Sequence, residues 1–497
     1  MKGSEVLSRR RAGILLHPTS LPGGFGIGDF GREGVDFLDW LASAGQTIWQ
    51  VLPLHPAPHA SPYGASSAFA GNPLLISPRR LLEEGLLSES ALAGVPEFPS
   101  GRVDYHAVRV WKEGVLRRSW QESRSEPRLL ADLETFRRAP EQKSWLADWA
   151  LFAAISENRS GDWTSWPEDL RRRRRDALEK ARHSLEERVA FHEYVQFLFF
   201  RQWDRVRSVA RGRAVAILGD LPIYVTHDSA DAWSRQELFR FDEDGKPEAV
   251  AGVPPDAYSE TGQLWGYPLY RWDEMERGGF SWWIERLRHA LRLADAVRID
   301  HFRGFAAGWN VPAGAKTAME GEWIPGPGIR LFEAARTALG EVPLIAEDLG
   351  VITEDVRELL AAVGAPGMKV LQFAFSADDS EHLPHRHIPN AVVYTGTHDN
   401  DTTRGWFDAL PEEERRRVLD YVGGDGASIE WGFVRAAYES VARTAIVPLQ
   451  DVFGLGSETR MNTPAVAEGN WSWRAAASDF TRERAGRLRR LAALTGR

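Results

Sequence analysis

Residues 294–304 read Ala-Asp-Ala-Val-Arg-Ile-Asp-His-Phe-Arg-Gly. A short, mostly apolar run ends abruptly in a carboxylate, Asp300, and an imidazole, His301. Runs of this kind, closed by polar residues, read as buried parallel strands. Working outward from 294–299, similar runs lie at 12–16, 47–54 and 214–218 before it. Others follow at 342–346, 368–375, 391–394 and 445–449. Helical patterns fall between many of them, at 34–44, 280–293, 328–339 and 353–363. Eight strands alternating with helices predict an α/β chain folded as a (β/α)8 TIM barrel.

The spacing of the strands is uneven. Residues 57–189 are too many for a loop in a compact domain, so this stretch must carry its own structure. Helical patterns at 145–157 and 176–207 predict one or more inserted helical subdomains. A second insertion, 226–279, separates the third and fourth strands. The expected organisation is therefore strands one and two in 1–56, the helical insertion in 57–189, and the third-strand region in 190–225. The insertion over the cleft (226–279) and strands four to eight with a C-terminal segment (280–497) complete it. Insertions after barrel strands extend the C-terminal face, where barrel enzymes build their sites.

Composition narrows the function. With 43% hydrophobic and 26% charged residues the chain suits a soluble globular protein. A net charge of −9 argues against nucleic-acid binding. The absence of cysteine excludes disulfides, thiolate metal sites and a cysteine nucleophile. No apolar run is long enough for a membrane span. Met1 to Arg11 is polar and charged and no signal-like apolar stretch follows, so the expected location is the cytoplasm. The basic run Arg171 to Arg175 reads as a solvated helix face. The 20 tryptophans could stack on sugar rings or fill a core, and their number does not decide between the two.

The polar residues that matter stand where strands end. The strand at 214–218 runs into Gly219-Asp220, that at 294–299 into Asp300-His301, and that at 342–346 into Glu347-Asp348. The strand at 391–394 runs into Thr395-Gly396-Thr397-His398-Asp399-Asn400. In a parallel barrel these ends converge on one face. Grouped acids repel one another and lose hydration, so their convergence points to chemistry rather than stability. Without cysteine or an evident metal site, glycoside cleavage uses such a set: one carboxylate attacks and a protonated one donates to the leaving oxygen. Arg298 and Asp300 are two residues apart on a strand and share a face, and the cation favours an ionised Asp300. Glu347 as the acid requires a proton held at working pH. Asp399 is then a third acid that binds sugar hydroxyls.

The stretch Val297-Arg298-Ile299-Asp300-His301-Phe302-Arg303-Gly304 resembles the nucleophile strand of the α-amylase clan. More narrowly, the chain resembles the amylomaltase family of 4-α-glucanotransferases, or disproportionating enzymes. The matching stretches are 16–22, 61–63 with 67–73, 219–223, 251–256, 259–266, 346–350, 395–401, and 461–464 with 469–471. They cover nearly the whole chain in the family's order. The resemblance implies Asp300 as nucleophile, Glu347 as general acid and then base, and Asp399 as transition-state stabiliser. It implies Arg298, His301 and His398 as a hydrogen-bonding shell, with Asp220 in the same region and Tyr63 stacking on the sugar. Trp265 falls in the loop over the cleft, and Phe373 is an acceptor-side contact. The implied partners are maltooligosaccharides and α-1,4-glucans. No cofactor and no metal are expected, because side chains suffice for proton transfer and nucleophilic attack. The chain departs from the family's pattern at Gly64, where relatives commonly carry Gln, and at Tyr267, where Asn is expected. The turn Pro56-Ala57-Pro58-His59 also lacks a Tyr that some relatives have. These departures bear on acceptor preference and accessory binding.

Three other signals read as structural. Gly26-Ile27-Gly28-Asp29-Phe30-Gly31 spells a dinucleotide-binding glycine pattern, but no acid for a ribose follows the next strand, so it reads as a rim loop. His382, His385 and His387 lie in a Pro-containing loop without helical pairing and read as solvent-exposed histidines. The aromatic stretch 191–203 reads as a buried helix face, and Glu157 and Glu193 as helix-surface acids.

Overall fold

The computed structural model describes residues 3–157, 159–255, 259–466 and 468–497. Met1, Lys2 and Asp256, named above, lie outside the described residues. Eight parallel strands form the central sheet. They are β1 Arg11–Leu15, β2 Ile48–Gln50, β3 Ala216–Leu221, β4 Ala296–Ile299, β5 Leu344–Ala346, β6 Gly367–Val370, β7 Ala391–Tyr394 and β8 Thr444–Pro448. Their order in space is β6-β7-β8-β1-β2-β3-β4-β5, which is chain order closed through β8 and β1. The seam lies between β5 and β6. There the Ala346 N–H donates to the Pro366 carbonyl at 3.0 Å and the Met368 N–H to Asp348 Oδ1 at 2.6 Å. The expected (β/α)8 barrel is present and nearly closed.

Every residue of these strands is buried. Helices outside and side chains inside cover both faces, which is why the strands read as apolar runs. The expected helices appear as Arg32–Ser43, Ser281–Leu293, Ile329–Leu339 and Glu354–Val363. Each buries one stripe, as Phe37, Leu38 and Leu41 do on the first. Some strands are shorter than their apolar runs. The run at 47–54 gives only Ile48–Gln50, and the run at 368–375 gives β6 and a 3-10 turn, Leu371–Phe373. β3 in turn extends to Leu221, so Asp220 lies inside a strand rather than after one.

The long β2–β3 connection is helical. Tyr105–Ser123, Pro127–Arg138 and Leu146–Ser156 pack against the 27-residue helix Glu186–Gly212. The helical pattern at 176–207 breaks at Leu185 (φ −114°, ψ 17°), which separates Arg175–Ser184 from the long helix. The start of the connection is tied down by glutamines. Gln196 accepts from the Gly71 N–H (2.6 Å) and Gln202 from the Ser77 N–H (2.7 Å). The aromatic stretch of the long helix, including Phe199, Phe200 and Trp203, is buried as expected. Glu157 and Glu193 are not simple surface acids. Glu157 pairs with Arg117 and His192, and Glu193 with Arg137, at half-buried helix contacts.

A second, antiparallel sheet joins two different connections. Its strands, in spatial order, are Gln263–Pro268, Ala249–Val253, Ala307–Pro312 and Glu322–Pro325. The first two belong to the β3–β4 connection and the last two to the β4–β5 connection. Among the described residues no helix is long and apolar enough to cross a membrane.

Candidate active site

The register of β3 and β4 sets Asp220 beside Arg298. The Arg298 guanidinium then forks. Nη1 donates to Asp220 Oδ2 at 2.6 Å and Nη2 to Asp300 Oδ1 at 2.7 Å. The side chains of Arg298 and Asp220 are 4% and 0% exposed, whereas that of Asp300 is 29% exposed and reaches the cleft. Within the barrel the Tyr394 hydroxyl donates to Gln50 Oε1 at 3.0 Å, close enough to Arg298 and Asp220 to feel both charges. Burial pushes the Asp300 carboxyl above its ordinary pKa, while Arg298 pulls it back and Asp220 and Asp399 add to the rise. The Arg298 contact expected from the spacing is there, but burial outweighs it.

Glu347 follows β5. Next to Asp300, His301 takes a left-handed backbone (φ 52°), which costs a non-glycine residue roughly 1–2 kcal/mol. That turn aims the His301 N–H at Glu347 Oε2, 2.7 Å away. The Leu349 N–H donates to Oε1 at 2.8 Å, so both carboxyl oxygens are fixed by backbone. Burial, then the charge of Asp300, push the Glu347 carboxyl up to about 7 against the pull of Arg298 and these two N–H groups. A carboxylic acid so placed keeps its proton near neutrality.

The loop after β7 carries His398 and Asp399. Tyr63 lies against it, its ring 5.3 Å from that of His398 and nearly parallel. The Tyr63 hydroxyl donates to Asp220 Oδ2 (2.8 Å) and meets His398 Nε2 at 3.0 Å. Trp471, itself at positive φ (64°), packs against both rings at 5.8 and 5.7 Å. Asp399 is more open, at 43% exposure, and is held from the β8 side. Asn462 Nδ2 donates to its Oδ1 and Arg460 Nη2 to its carbonyl, each at 2.6 Å. His17, after β1, is buried; burial and nearby His398 push its pKa down to about 3, so its ring is neutral.

The small sheet supplies aromatics. Trp265 sets its ring edge-on to His301 at 4.6 Å between centroids. Burial, and the Arg303 charge, lower the His301 pKa to about 3. Phe373 ends the 3-10 turn after β6, half-buried, its ring 5.6 Å from His382. Asp220 Oδ1 and His301 Nε2 are buried without a protein partner. Buried polar atoms of that kind cost about 1–3 kcal/mol each and suit groups that bind a polar ligand.

Direct contacts and charge interactions thus link Tyr63, Asp220, Trp265, Arg298, Asp300, His301, Glu347, His398 and Asp399 in one cluster. His17, Asn462 and Trp471 lie within the stretches 16–22, 461–464 and 469–471 that carry the resemblance but are not expected at the site from sequence, and Arg460 lies outside those stretches. Their signal is contact with the β7 loop, which no local spacing reveals.

The glycine pattern read as structural behaves so, and the basic run and the histidine loop need correction. An added Cβ at Gly28 would stand 2.0 Å from the Pro18 carbonyl oxygen, so close backbone packing accounts for that glycine. Arg171 to Arg175 do not form the expected helix face. They span the break between helices Glu168–Arg171 and Arg175–Ser184, Arg173 has φ 54° and lies over the Trp233 ring, and each pairs with a nearby acid. The histidine loop is less exposed than expected. His387 is buried, bridging Ser440 (2.7 Å) and the His382 carbonyl (2.9 Å), and His382 accepts from the Val370 N–H (3.1 Å). Among the described residues no three His, Cys, Asp or Glu side chains are grouped to hold a metal ion.

The family model described as 4-alpha-glucanotransferase, glycoside hydrolase 77, matches residues 16–479. A chloroplastic/amyloplastic 4-alpha-glucanotransferase of Solanum tuberosum is 50% identical, covering 98% of this chain and 87% of its own. A 4-alpha-glucanotransferase of Thermus thermophilus is 47% identical over 98% of this chain and 99% of its own. The solved amylomaltase of Streptococcus agalactiae, in complex with acarbose, superposes with a TM-score of 0.95 at 37% identity, covering 98% of this chain and all of that one. The chain belongs to the glycoside hydrolase 77 family of 4-alpha-glucanotransferases.

Proposed function

We propose that this site moves α-1,4-glucan segments between glucan chains by a retaining double displacement. Asp300 is the nucleophile, Glu347 the acid and then the base, and Asp399 the carboxylate that stabilises the transition state. A linear glucan lies across the barrel mouth. Glu347 gives its proton to the scissile oxygen as Asp300 attacks the anomeric carbon, and the C1–O bond to the leaving glucan breaks. An acceptor hydroxyl then gives its proton to Glu347 as its oxygen attacks C1, and Asp300 leaves as a carboxylate. Two inversions restore the α linkage.

One observation carries this reading. A carboxylate in the grip of Arg298 stands next to a second carboxyl that burial holds at about 7. Burial raises both carboxyls, but Arg298 donates directly to Asp300 whereas backbone N–H groups hold Glu347, and this asymmetry assigns Asp300 as nucleophile and Glu347 as acid. Tyr63, Arg298, His398, Trp265 and Phe373 are the substrate contacts, and the unpartnered atoms of Asp220 and His301 take sugar hydroxyls. Maltooligosaccharides are the substrates. We place its work in the cytoplasm.

The test is incubation with maltotriose alone. Transfer yields a ladder of longer oligosaccharides together with glucose. Glucose and maltose without elongation would leave an α-amylase-type hydrolase instead.

A further inference from the structure

Trp265 and Tyr267 are two residues apart on the strand Gln263–Pro268, so both rings leave the small sheet on one face. Trp265 covers His301. Tyr267 reaches farther, and its hydroxyl stands 3.5 Å from the Tyr63 carbonyl. Tyr63 belongs to the β2–β3 connection and Tyr267 to the β3–β4 connection, so this contact bridges two connections at the barrel mouth. Both phenols lie near enough to Asp300 to feel its charge. Burial, with that charge, pushes the Tyr267 hydroxyl up to about 12, so it stays protonated and able to donate. The next residue after Tyr63 is Gly64, which brings no side chain to the spot; an added Cβ there would meet only the Ser61 carbonyl, at 3.7 Å.

We infer that Tyr267 sets the balance between transfer and hydrolysis by roofing the glycosyl-enzyme on Asp300. The inference rests on the glucanotransferase reading above. Its chemistry is a competition at one carbon. Water attacking C1 gives its proton to Glu347, releases the Asp300 carboxylate and creates a new reducing end. A glucan hydroxyl attacking C1 does the same and creates none. An aromatic roof leaves water few partners above C1 and offers an apolar face to the incoming sugar ring. The ring matters more than the hydroxyl, because an O–H···O contact of 3.5 Å is long.

The experiment compares wild type, Tyr267→Phe and Tyr267→Asn on maltotriose, with reducing ends and longer oligosaccharides measured together. In wild type, elongation proceeds with little gain in reducing ends. Tyr267→Asn raises the hydrolysis-to-transfer ratio by about tenfold, and Tyr267→Phe by about twofold, with thermal midpoints near that of wild type. An unchanged ratio in Tyr267→Asn overturns the inference. If that variant fails to fold, an unchanged ratio in Tyr267→Leu, which removes the ring but keeps an apolar side chain, does so. Failure of the underlying reading looks different, since wild type itself would then give no elongated products.

Discussion

The floor and the roof of the cleft are built on different principles. The floor is the set of barrel strand ends, where Arg298, Asp220 and Glu347 are locked by charge pairs and backbone N–H groups. The roof is the strand Gln263–Pro268, half-exposed along most of its length and reaching the floor through the rings of Trp265 and Tyr267. Bond making needs carboxyls fixed to a fraction of an ångström, which buried strand ends provide. On the inference drawn above, choosing between water and sugar needs coverage, and the thin aromatic sheet is placed to supply it. Damage to the floor should therefore stop the reaction, and damage to the roof should redirect it.

The largest expected effect is at the nucleophile. Asp300→Ala should lower kcat on maltotriose by about 10⁴-fold or more, with the fold retained by circular dichroism. A glucan-binding protein without catalysis would show no such loss. Arg298→Lys comes next. It keeps the positive charge but loses the fork that serves Asp220 and Asp300 together. It should lower kcat by about 10²–10³-fold and destabilise the fold by about 3 kcal/mol in denaturant titration, because it leaves a buried carboxylate short of a partner. A variant with wild-type kcat would break the view that the floor is a single charge-locked unit.

The third expectation concerns pH. Glu347 must carry a proton to act as acid, and its carboxyl lies at about 7. Activity should therefore fall as pH rises through about 7, by about tenfold per pH unit well above it. Glu347→Gln, assayed with a glycosyl fluoride donor whose leaving group needs no protonation, should lose that alkaline limb. The smallest effect on the floor should come from Asn462, which holds Asp399 from the side. Asn462→Ala should lower kcat by about tenfold and leave KM and the thermal midpoint nearly unchanged, the signature of a positioning residue. An effect on KM alone would move Asn462 from the floor to substrate binding.

The floor was legible in the residues themselves, whereas the roof was expected only as an insertion over the cleft with Trp265 in it, and its sheet was not legible, for physical reasons. Parallel strands buried on both faces leave apolar runs, and four of the eight runs lead into the acids that the barrel brings together. The two-residue spacing of Arg298 and Asp300 gave their shared face directly, as the 2.7 Å contact bears out. The net rise in the Asp300 proton affinity was not readable, because it depends on burial summed over the whole fold. The roof strands are short, half-exposed and pair across two connections, as Gly252 does with Trp309, so no local period marks them. Asn462 and Trp471 meet the β7 loop only because β8 closes beside it. The break at Leu185 sits in a stretch whose helical pattern continues on both sides.

The central claim is a covalent glycosyl-enzyme on Asp300, and trapping it tests that claim most directly. Glu347→Gln mixed with an α-maltosyl fluoride should load the protein with one glycosyl unit, seen in its intact mass and, after digestion, on the peptide that contains Asp300. Adduct on that peptide, absent when Asp300→Ala is combined with Glu347→Gln, is the predicted result. Turnover of the fluoride with no adduct and a β-configured product, or adduct on another residue, would contradict it.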